Sequence, residues 1–277
     1  MRKPCEGMLN IVRFNWPLYV VALFLAIACT IAILVFPLPS WLFILLLAGA
    51  SGATYFLVVS LAVSYIVYDQ SPLYRWLWVK DLLTIAPQQI ANIHAGFDES
   101  SEALRNLFPQ ANLVIVDLYD PKRMTEPSIA RARRLRPTKQ STLSADPGAI
   151  PLAESSCDGV FLLFAAHEVR DAQERLRLFS EVSRILTPDG TILLVEHRRD
   201  LANFLAFGPG FLHFYPQSEW LRLAAESGLC VVTTSSMTPF VGVFLLAKGE
   251  ISRETEPCRD VAFEQSFPRL GAYLLDS

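Results

Sequence analysis

Between Pro17 and Val67 the chain runs for 51 residues without an Asp, Glu, Lys, Arg or His. One helix that crosses a bilayer needs roughly 20 apolar residues, so the run is long enough for two. Within 277 residues a run of this length is hard to bury in a soluble core. Two prolines in Phe36-Pro37-Leu38-Pro39-Ser40 divide it, because proline removes a helix hydrogen bond and crowds the preceding turn. The spacing predicts spans over 17–36 and 41–67, joined by a short loop as an antiparallel hairpin. A cleaved leader explains this less well. The first apolar stretch exceeds the roughly 7–15 residues of a signal peptide's apolar region, and a second span follows at once.

The flanks give an orientation. Arg2, Lys3 and Arg13 precede the hairpin, Arg75 and Lys80 follow it, and the loop carries no charge. Positive flanks stay on the cytoplasmic side, which places both termini and everything after residue 70 in the cytoplasm, at an inner membrane. Trp16, Tyr19, Trp41, Tyr65, Tyr68, Trp76 and Trp78 fall near the ends of the spans, where interfacial aromatics sit. Ala48-Gly49-Ala50-Ser51-Gly52-Ala53 gives the second helix a small-residue face for close packing on the first, or for a homodimer through the hairpin. Residues 1–70 thus read as a membrane anchor and 71–87 as a juxtamembrane linker.

From residue 88 the pattern changes. Short apolar runs (89–95, 112–117, 141–144, 159–165, 191–196, 229–234 and 241–247) alternate with amphipathic stretches (99–108, 126–135, 172–186 and 218–227). Alternation of this kind predicts a parallel, doubly wound α/β sheet over 88–248, closed by the last two strands. Ligands in such sheets bind at the carboxyl ends of the strands. Residues 249–277 read as a C-terminal extension. With a net charge of −3 no global basic field points to a nucleic-acid partner, and none is expected. Five widely spaced cysteines predict free thiols in a reducing compartment.

Five stretches of this region resemble the class I S-adenosylmethionine-dependent methyltransferase family. They are Ile90–Asp98 at the glycine loop, Asp117 after the second strand, and Asp146 with Ile150-Pro151-Leu152 and Ser156–Val160. The others are Arg184-Ile185-Leu186-Thr187-Pro188-Asp189-Gly190, and Tyr215–Trp220 with Glu226-Ser227-Gly228. The resemblance implies a Rossmann-like methyltransferase sheet, here preceded by a transmembrane hairpin, with S-adenosylmethionine as cofactor. It implies that Asn92, His94, Gly96, Asp98, Asp117, Leu118, Asp146 and Ala165 line the cofactor. Asp117 stands 21 residues past Gly96, where a carboxylate accepts hydrogen bonds from a ribose diol; Asp146 matches the adenine position. The family's loop carries an acidic residue and three glycines where this chain has Asn92, His94, Gly96 and Asp98, so only the central glycine remains. One glycine makes a poor pyrophosphate cradle, which disfavours NAD and FAD. Asp98 also reads as a helix cap.

The candidates for chemistry are polar residues after the fourth and fifth strands and before the last helix: His167, Glu168, His197, His213 and Tyr215, with Glu196 beside them. An oxygen nucleophile needs its proton removed, a task for His167 or His213 if either titrates near neutrality. His167, His213 and a carboxylate could together hold a divalent metal, although no ligand spacing demands one. Lys122–Lys139 holds seven basic residues and one acid, Glu126, and reads as a solvated face or a contact for anionic headgroups. The expected protein is a membrane-anchored methyltransferase whose partners are the lipid bilayer and a lipophilic small molecule or lipid. The alternatives are an inactive methyltransferase-like scaffold or sensor, and an enzyme that transfers another part of the cofactor.

Overall fold

The computed structural model describes residues 3–83, 85–137 and 141–249. The chain divides into two compact units. One comprises the residues up to Tyr74 together with Asp200–Phe211; the other comprises Arg75–Arg199 and the chain from Leu212 onward.

The first unit is an antiparallel hairpin of α1 (Glu6–Val35) and α2 (Ser40–Tyr65), followed by a π-helical turn at Ile66–Gln70. Both helices are long and apolar enough to cross a membrane. α1 begins 11 residues before the expected span, because apolar runs mark the span while the helix continues through Glu6 and Arg13. Pro17 lies inside it. Proline lacks an N–H and crowds the carbonyl four residues earlier, and the backbone leaves helical geometry at Asn15 (φ −116°, ψ 20°). The Asn15 side chain donates to the Ile11 carbonyl at 3.2 Å.

The ends of the hairpin are tied by Asp69, whose carboxylate oxygens accept from the Gly7 and Met8 amides at 2.8 Å each. These amides belong to the first turn of α1, which has no partners within the helix. Gly7 permits the approach: a β-carbon there would lie 2.4 Å from Tyr68 Cβ. Along the helices, Ala50 and Ala53 are buried, and a β-carbon on Gly49 would meet Cys29 Sγ at 3.3 Å. Phe24, Leu34, Trp41 and Ile44 face outward and are exposed. A further helix, α7 (Leu201–Phe207), packs on α2 within the same unit.

The second unit opens with a short helix α3 (Trp78–Leu82). Its sheet consists of β1 (Gln89–His94), β2 (Asn112–Asp117), β3 (Thr142–Ser144), β4 (Cys157–Leu163), β5 (Leu186–His197), β6 (Leu229–Thr238) and β7 (Val241–Lys248), in the spatial order β3-β2-β1-β4-β5-β7-β6. Connecting helices are α4 (Ser101–Leu107), α5 (Pro127–Leu135), α6 (Ala172–Ile185) and α8 (Gln217–Glu226). The first five strands run parallel, but β7 is antiparallel to both β5 and β6. The expected parallel, doubly wound sheet thus holds for β1–β5, and the closing pair makes the whole sheet mixed. Only Pro239 and Phe240 separate β6 from β7, which makes a hairpin and is far too short for a parallel crossover.

Val160, Leu162, Ile192, Leu194 and Leu246 fill one core with Phe179 and Trp220, whose rings stack at 6.2 Å. Among the described residues, the expected free thiols hold for Cys5, Cys29 and Cys157. The C-terminal extension beyond Gly249 lies outside the described residues.

The Asp69 clamp predicts the hairpin's weak points. Asp69→Ala removes a charged acceptor from two amides and should cost about 1.5–3 kcal/mol. Gly7→Ala should destabilise as well, although alanine is favoured over glycine by about 1 kcal/mol inside an ordinary helix. Thermal unfolding in detergent micelles tests both; midpoints equal to wild type would remove the clamp from the account.

Candidate active site

The parallel strands deliver two groups of polar side chains to their carboxyl ends. The first lies where β1 and β2 end. Asp117, the last residue of β2, is buried, and its Oδ1 accepts from the Gly96 and Tyr119 amides at 3.0 Å each. Its Oδ2 accepts from Arg133 Nη1 on α5 at 2.6 Å. Gly96 has φ +86°, and a β-carbon there would come within 3.0 Å of Tyr119 Cδ2, so the turn needs glycine on both counts. The Arg133 guanidinium lies over the Tyr119 ring, 4.4 Å from its centroid.

His94, which ends β1, sits 3.6 Å from Asp117, and both of its ring nitrogens are buried without a hydrogen-bond partner. Burial pushes this imidazole below its ordinary value against the pull of Asp117 and Asp98, which leaves it neutral at pH 7. Leu118 is buried beside it, its amide donating to the His94 carbonyl at 2.8 Å.

The remaining residues expected at the cofactor are placed differently. Asn92 is buried and spends its side chain on Ser100 and Ser101, at 2.7–3.1 Å. Asp98 accepts from the Ser100 and Ser101 amides at 3.2 and 2.9 Å, which supports the start of α4. Asp146 accepts from the Gly148 amide at 2.9 Å and from Arg123 at 2.7 Å; the turn amide leads in holding its carboxyl below the usual range. Ala145, beside it, donates to the Asp117 carbonyl at 3.0 Å. Ala165 is buried past the end of β4. Of the basic segment, Arg123 and Arg133 are thus engaged with Asp146 and Asp117, and Lys139 lies outside the described residues.

The second group lies where β4 and β5 end. Phe164, just past β4, is held at φ +54°, an unfavourable region for a bulky residue. A single 3₁₀ turn, Ala166–Glu168, follows. Glu196 at the end of β5 is fully buried and receives the Ala166 amide at 2.8 Å, the His167 amide at 3.2 Å and His167 Nδ1 at 2.6 Å. On the other side of the ring, His167 Nε2 lies 3.3 Å from Glu168 Oε1, and His213 Nε2 lies 3.4 Å from the same oxygen. His213 Nδ1 lies 2.9 Å from Glu126 Oε2. Arg170 donates from Nη1 to the His213 carbonyl and from Nη2 to Glu126 Oε1, both at 2.7 Å, and Nη2 also contacts His213 Nδ1.

Burial alone would push the His167 imidazole down. Glu196 and Glu168 outweigh it and hold the ring up at about 10. Desolvation would raise the Glu168 carboxyl, but the neighbouring His167 and His213 rings outweigh it and hold the group well below the usual carboxylate range. Where the sequence suggested a ring that titrates near neutrality, the two carboxylates favour the protonated imidazole over the free base, so His167 is a weaker candidate for removing a proton than expected.

His167, Glu168 and His213 converge, whereas His197 and Tyr215 stand apart. His197 is buried, with Nδ1 against the Phe240 carbonyl at 3.1 Å and its ring stacked on Phe214 at 4.6 Å. The Tyr215 ring lies under the Arg175 guanidinium at 3.9 Å, and Arg175 in turn pairs with Glu219 at 2.6 Å. Sequence reasoning left Glu126 and Arg170 out of the site. The available signal was Glu126 itself, the one acid in a strongly basic stretch.

Residues 93–194 match a family model described as a methyltransferase domain. Among solved structures, a SAM-dependent methyltransferase from Aquifex aeolicus is 13% identical, covers 66% of this chain and 92% of its own, and superposes with a TM-score of 0.51. A putative type 11 methyltransferase from Sulfolobus solfataricus is 16% identical, with coverages of 62% and 89% and a TM-score of 0.42. An O-methyltransferase family 2 protein from Planctomyces limnophilus, in complex with apigenin, is 16% identical, with coverages of 73% and 67% and a TM-score of 0.45. No curated protein sequence matches the chain. The edge formed by β1 and β2 fits an adenosyl cofactor: a buried carboxylate ends β2, a glycine turn opens the backbone, and two buried nitrogens of His94 stand without partners. The family match over residues 93–194 gives this part of the chain as an S-adenosylmethionine-dependent methyltransferase domain, and the sheet around it has the corresponding fold.

Proposed function

We propose that this chain is a membrane-anchored methyltransferase that works at the cytoplasmic face and methylates a lipophilic acceptor. The observation that carries the reading is the path of the chain between β5 and α8. It leaves the sheet unit after Arg199, contributes α7 to the hairpin unit, and rejoins the sheet unit at Leu212, one residue before His213. α7 exposes Leu201, Phe204 and Leu205, and Leu212 is exposed as well. A segment that packs on an apolar hairpin and then supplies a polar residue of the site suits an acceptor drawn from lipid. The orientation rests on Arg2, Lys3, Arg13, Arg75 and Lys80 flanking the apolar run.

In this reading Asp117 holds the ribose hydroxyls, His94 offers its unpartnered nitrogens, and Gly96 lets the backbone approach. Leu118, Asp146 and Ala165 are assigned to the walls around them. S-adenosylmethionine, when bound, supplies an electrophilic methyl group. His167, Glu168 and His213 receive the acceptor's oxygen and orient it, and orientation is the main requirement of an in-line displacement. Arg133 must release Asp117 Oδ2 before a ribose can use it, so the ion pair competes with the cofactor.

Two measurements test these roles. By calorimetry, Asp117→Asn should weaken S-adenosylmethionine binding by about 1.5–3 kcal/mol, while Arg133→Ala should tighten it several-fold. Weaker binding in Arg133→Ala would make that arginine a cofactor ligand instead. For activity, detergent-solubilised protein is incubated with methyl-labelled cofactor and a membrane lipid extract, and label is followed into the organic phase. His167→Ala should keep cofactor affinity within about threefold, or ~0.65 kcal/mol, and lose at least ~100-fold in turnover. A wild-type protein that binds neither the cofactor nor S-adenosylhomocysteine would replace this reading with an inactive domain.

A further inference from the structure

His167, Glu168 and His213 each offer one ligand atom, and the three atoms lie within 4.8 Å of one another. We propose that His167 Nε2, His213 Nε2 and a Glu168 carboxylate oxygen form a three-ligand site for a divalent transition metal, with Glu196 and Glu126 orienting the two imidazoles.

Four features carry this. First, each imidazole has a carboxylate behind it, on Nδ1: Glu196 at 2.6 Å for His167 and Glu126 at 2.9 Å for His213. A carboxylate at Nδ1 takes the ring proton there and turns the Nε2 lone pair outward, the arrangement that supports metal-bound histidines. Arg170 Nη2 also contacts His213 Nδ1 and donates to Glu126 Oε1, so an ion on Nε2 requires the ring tautomer whose Nδ1 proton goes to Glu126 Oε2.

Second, the inner distances suit a shared ion better than direct hydrogen bonds. Charge-assisted N–H to carboxylate bonds close to roughly 2.7–2.9 Å, as the outer Nδ1 contacts do. The inner contacts stay at 3.3 and 3.4 Å. Tetrahedral ligands about 2.0–2.1 Å from zinc stand roughly 3.4 Å apart.

Third, the charge is right. Once an ion displaces the proton from His167 Nε2, Glu126, Glu168 and Glu196 against Arg170 leave two negative charges around two neutral imidazoles, which a divalent ion neutralises. Fourth, the donors come from two well-determined places, the 3₁₀ turn clamped by Glu196 and the start of the segment that returns to α8. Two histidines and one glutamate form the donor set of catalytic zinc sites, which keep a fourth position open.

The inference deepens the proposed methyl transfer and rests on it for its purpose. In the open position the ion would bind the acceptor's oxygen and lower its pKa, as zinc does for water. The O–H bond then breaks with its electron pair left on oxygen, and the proton passes to solvent. A lipophilic acceptor with a phenolic or enolic hydroxyl is the class that gains from this, because its oxygen ionises near neutrality once a cation is bound.

The test uses the full-length protein in detergent, stripped with a chelator. Zn²⁺ is titrated by calorimetry, and Co²⁺ is followed by its visible absorption, which reports four-coordinate geometry. We expect one ion per chain, binding at least ~100-fold weaker in both His213→Ala and Glu168→Gln, and weaker by about 10–100-fold in Glu126→Gln. His94→Gln and Asp117→Asn should bind the ion as wild type does. His213 is partly exposed, so its variant should keep the wild-type unfolding midpoint and S-adenosylmethionine affinity. No saturable binding in the stripped protein, or binding that His213→Ala and Glu168→Gln leave unchanged, overturns the site. Ion binding together with failed cofactor binding retains the site and removes the methyltransferase reading. The reverse result removes the metal and leaves that reading standing. Lipid labelling that survives chelation unchanged overturns the role assigned to the ion.

Discussion

Glu196 ends β5 with no exposed surface and takes three hydrogen bonds, from the Ala166 and His167 amides and from His167 Nδ1. A buried carboxylate costs several kcal/mol unless its lone pairs are satisfied, so this residue fixes the loop that satisfies it. That loop begins at Phe164 in a left-handed conformation and turns once through Ala166–Glu168. Strain of this kind persists only where the surroundings over-determine it, and the two amide bonds to Glu196 supply the determination. The position of the His167 ring, the direction of its Nε2 and the place of Glu168 all follow from a side chain that is itself fully buried.

The hairpin, the strand and helix sequence and the edge that carries the polar residues were all readable from the chain. Each rests on a periodic or compositional signal: 51 uncharged residues, apolar runs of strand length, and polar residues immediately after them. The sheet's mixed character was half readable. Pro239-Phe240 leaves room only for a hairpin, but which neighbour β7 would choose depends on the sheet as a whole. α7 was missed because its seven residues carry no polar face, which leaves an amphipathic pattern nothing to register.

The site was readable as a set of residue types and not as a geometry. Asn92 and Asp98 fall at family positions, yet both are committed to the Ser100–Ser101 turn, and that commitment depends on where α4 starts. His197 follows a strand just as His167 does. The difference between them is that His197 packs against Phe164 and Phe214, while His167 meets two carboxylates. Glu126 and Arg170 come from segments more than 40 residues away from their partners in sequence, so no local pattern could join them to His213.

The two polar groups at the strand ends are organised by the same electrostatic logic and differ in what completes them. At β2 the completing cation belongs to the chain: Arg133 pairs with Asp117 and rests on Tyr119. Asp117 is nearly closed to solvent while Arg133 is about a third exposed, with side-chain exposures of 4% and 30%. The arginine can therefore leave toward water and be solvated, whereas the carboxylate cannot. An incoming diol must replace a charge-assisted bond worth about 1.5–3 kcal/mol with bonds of the same kind, so the net gain is small and the pair sets the apparent affinity rather than forbidding binding. At β4 and β5 the described cationic side chain, Arg170, stands behind His213 on the Nδ1 side. The centre between the two Nε2 atoms and Glu168 is left to a proton or to an ion. A proton there can bridge only one nitrogen to the carboxylate at a time, and a divalent ion can engage all three donors.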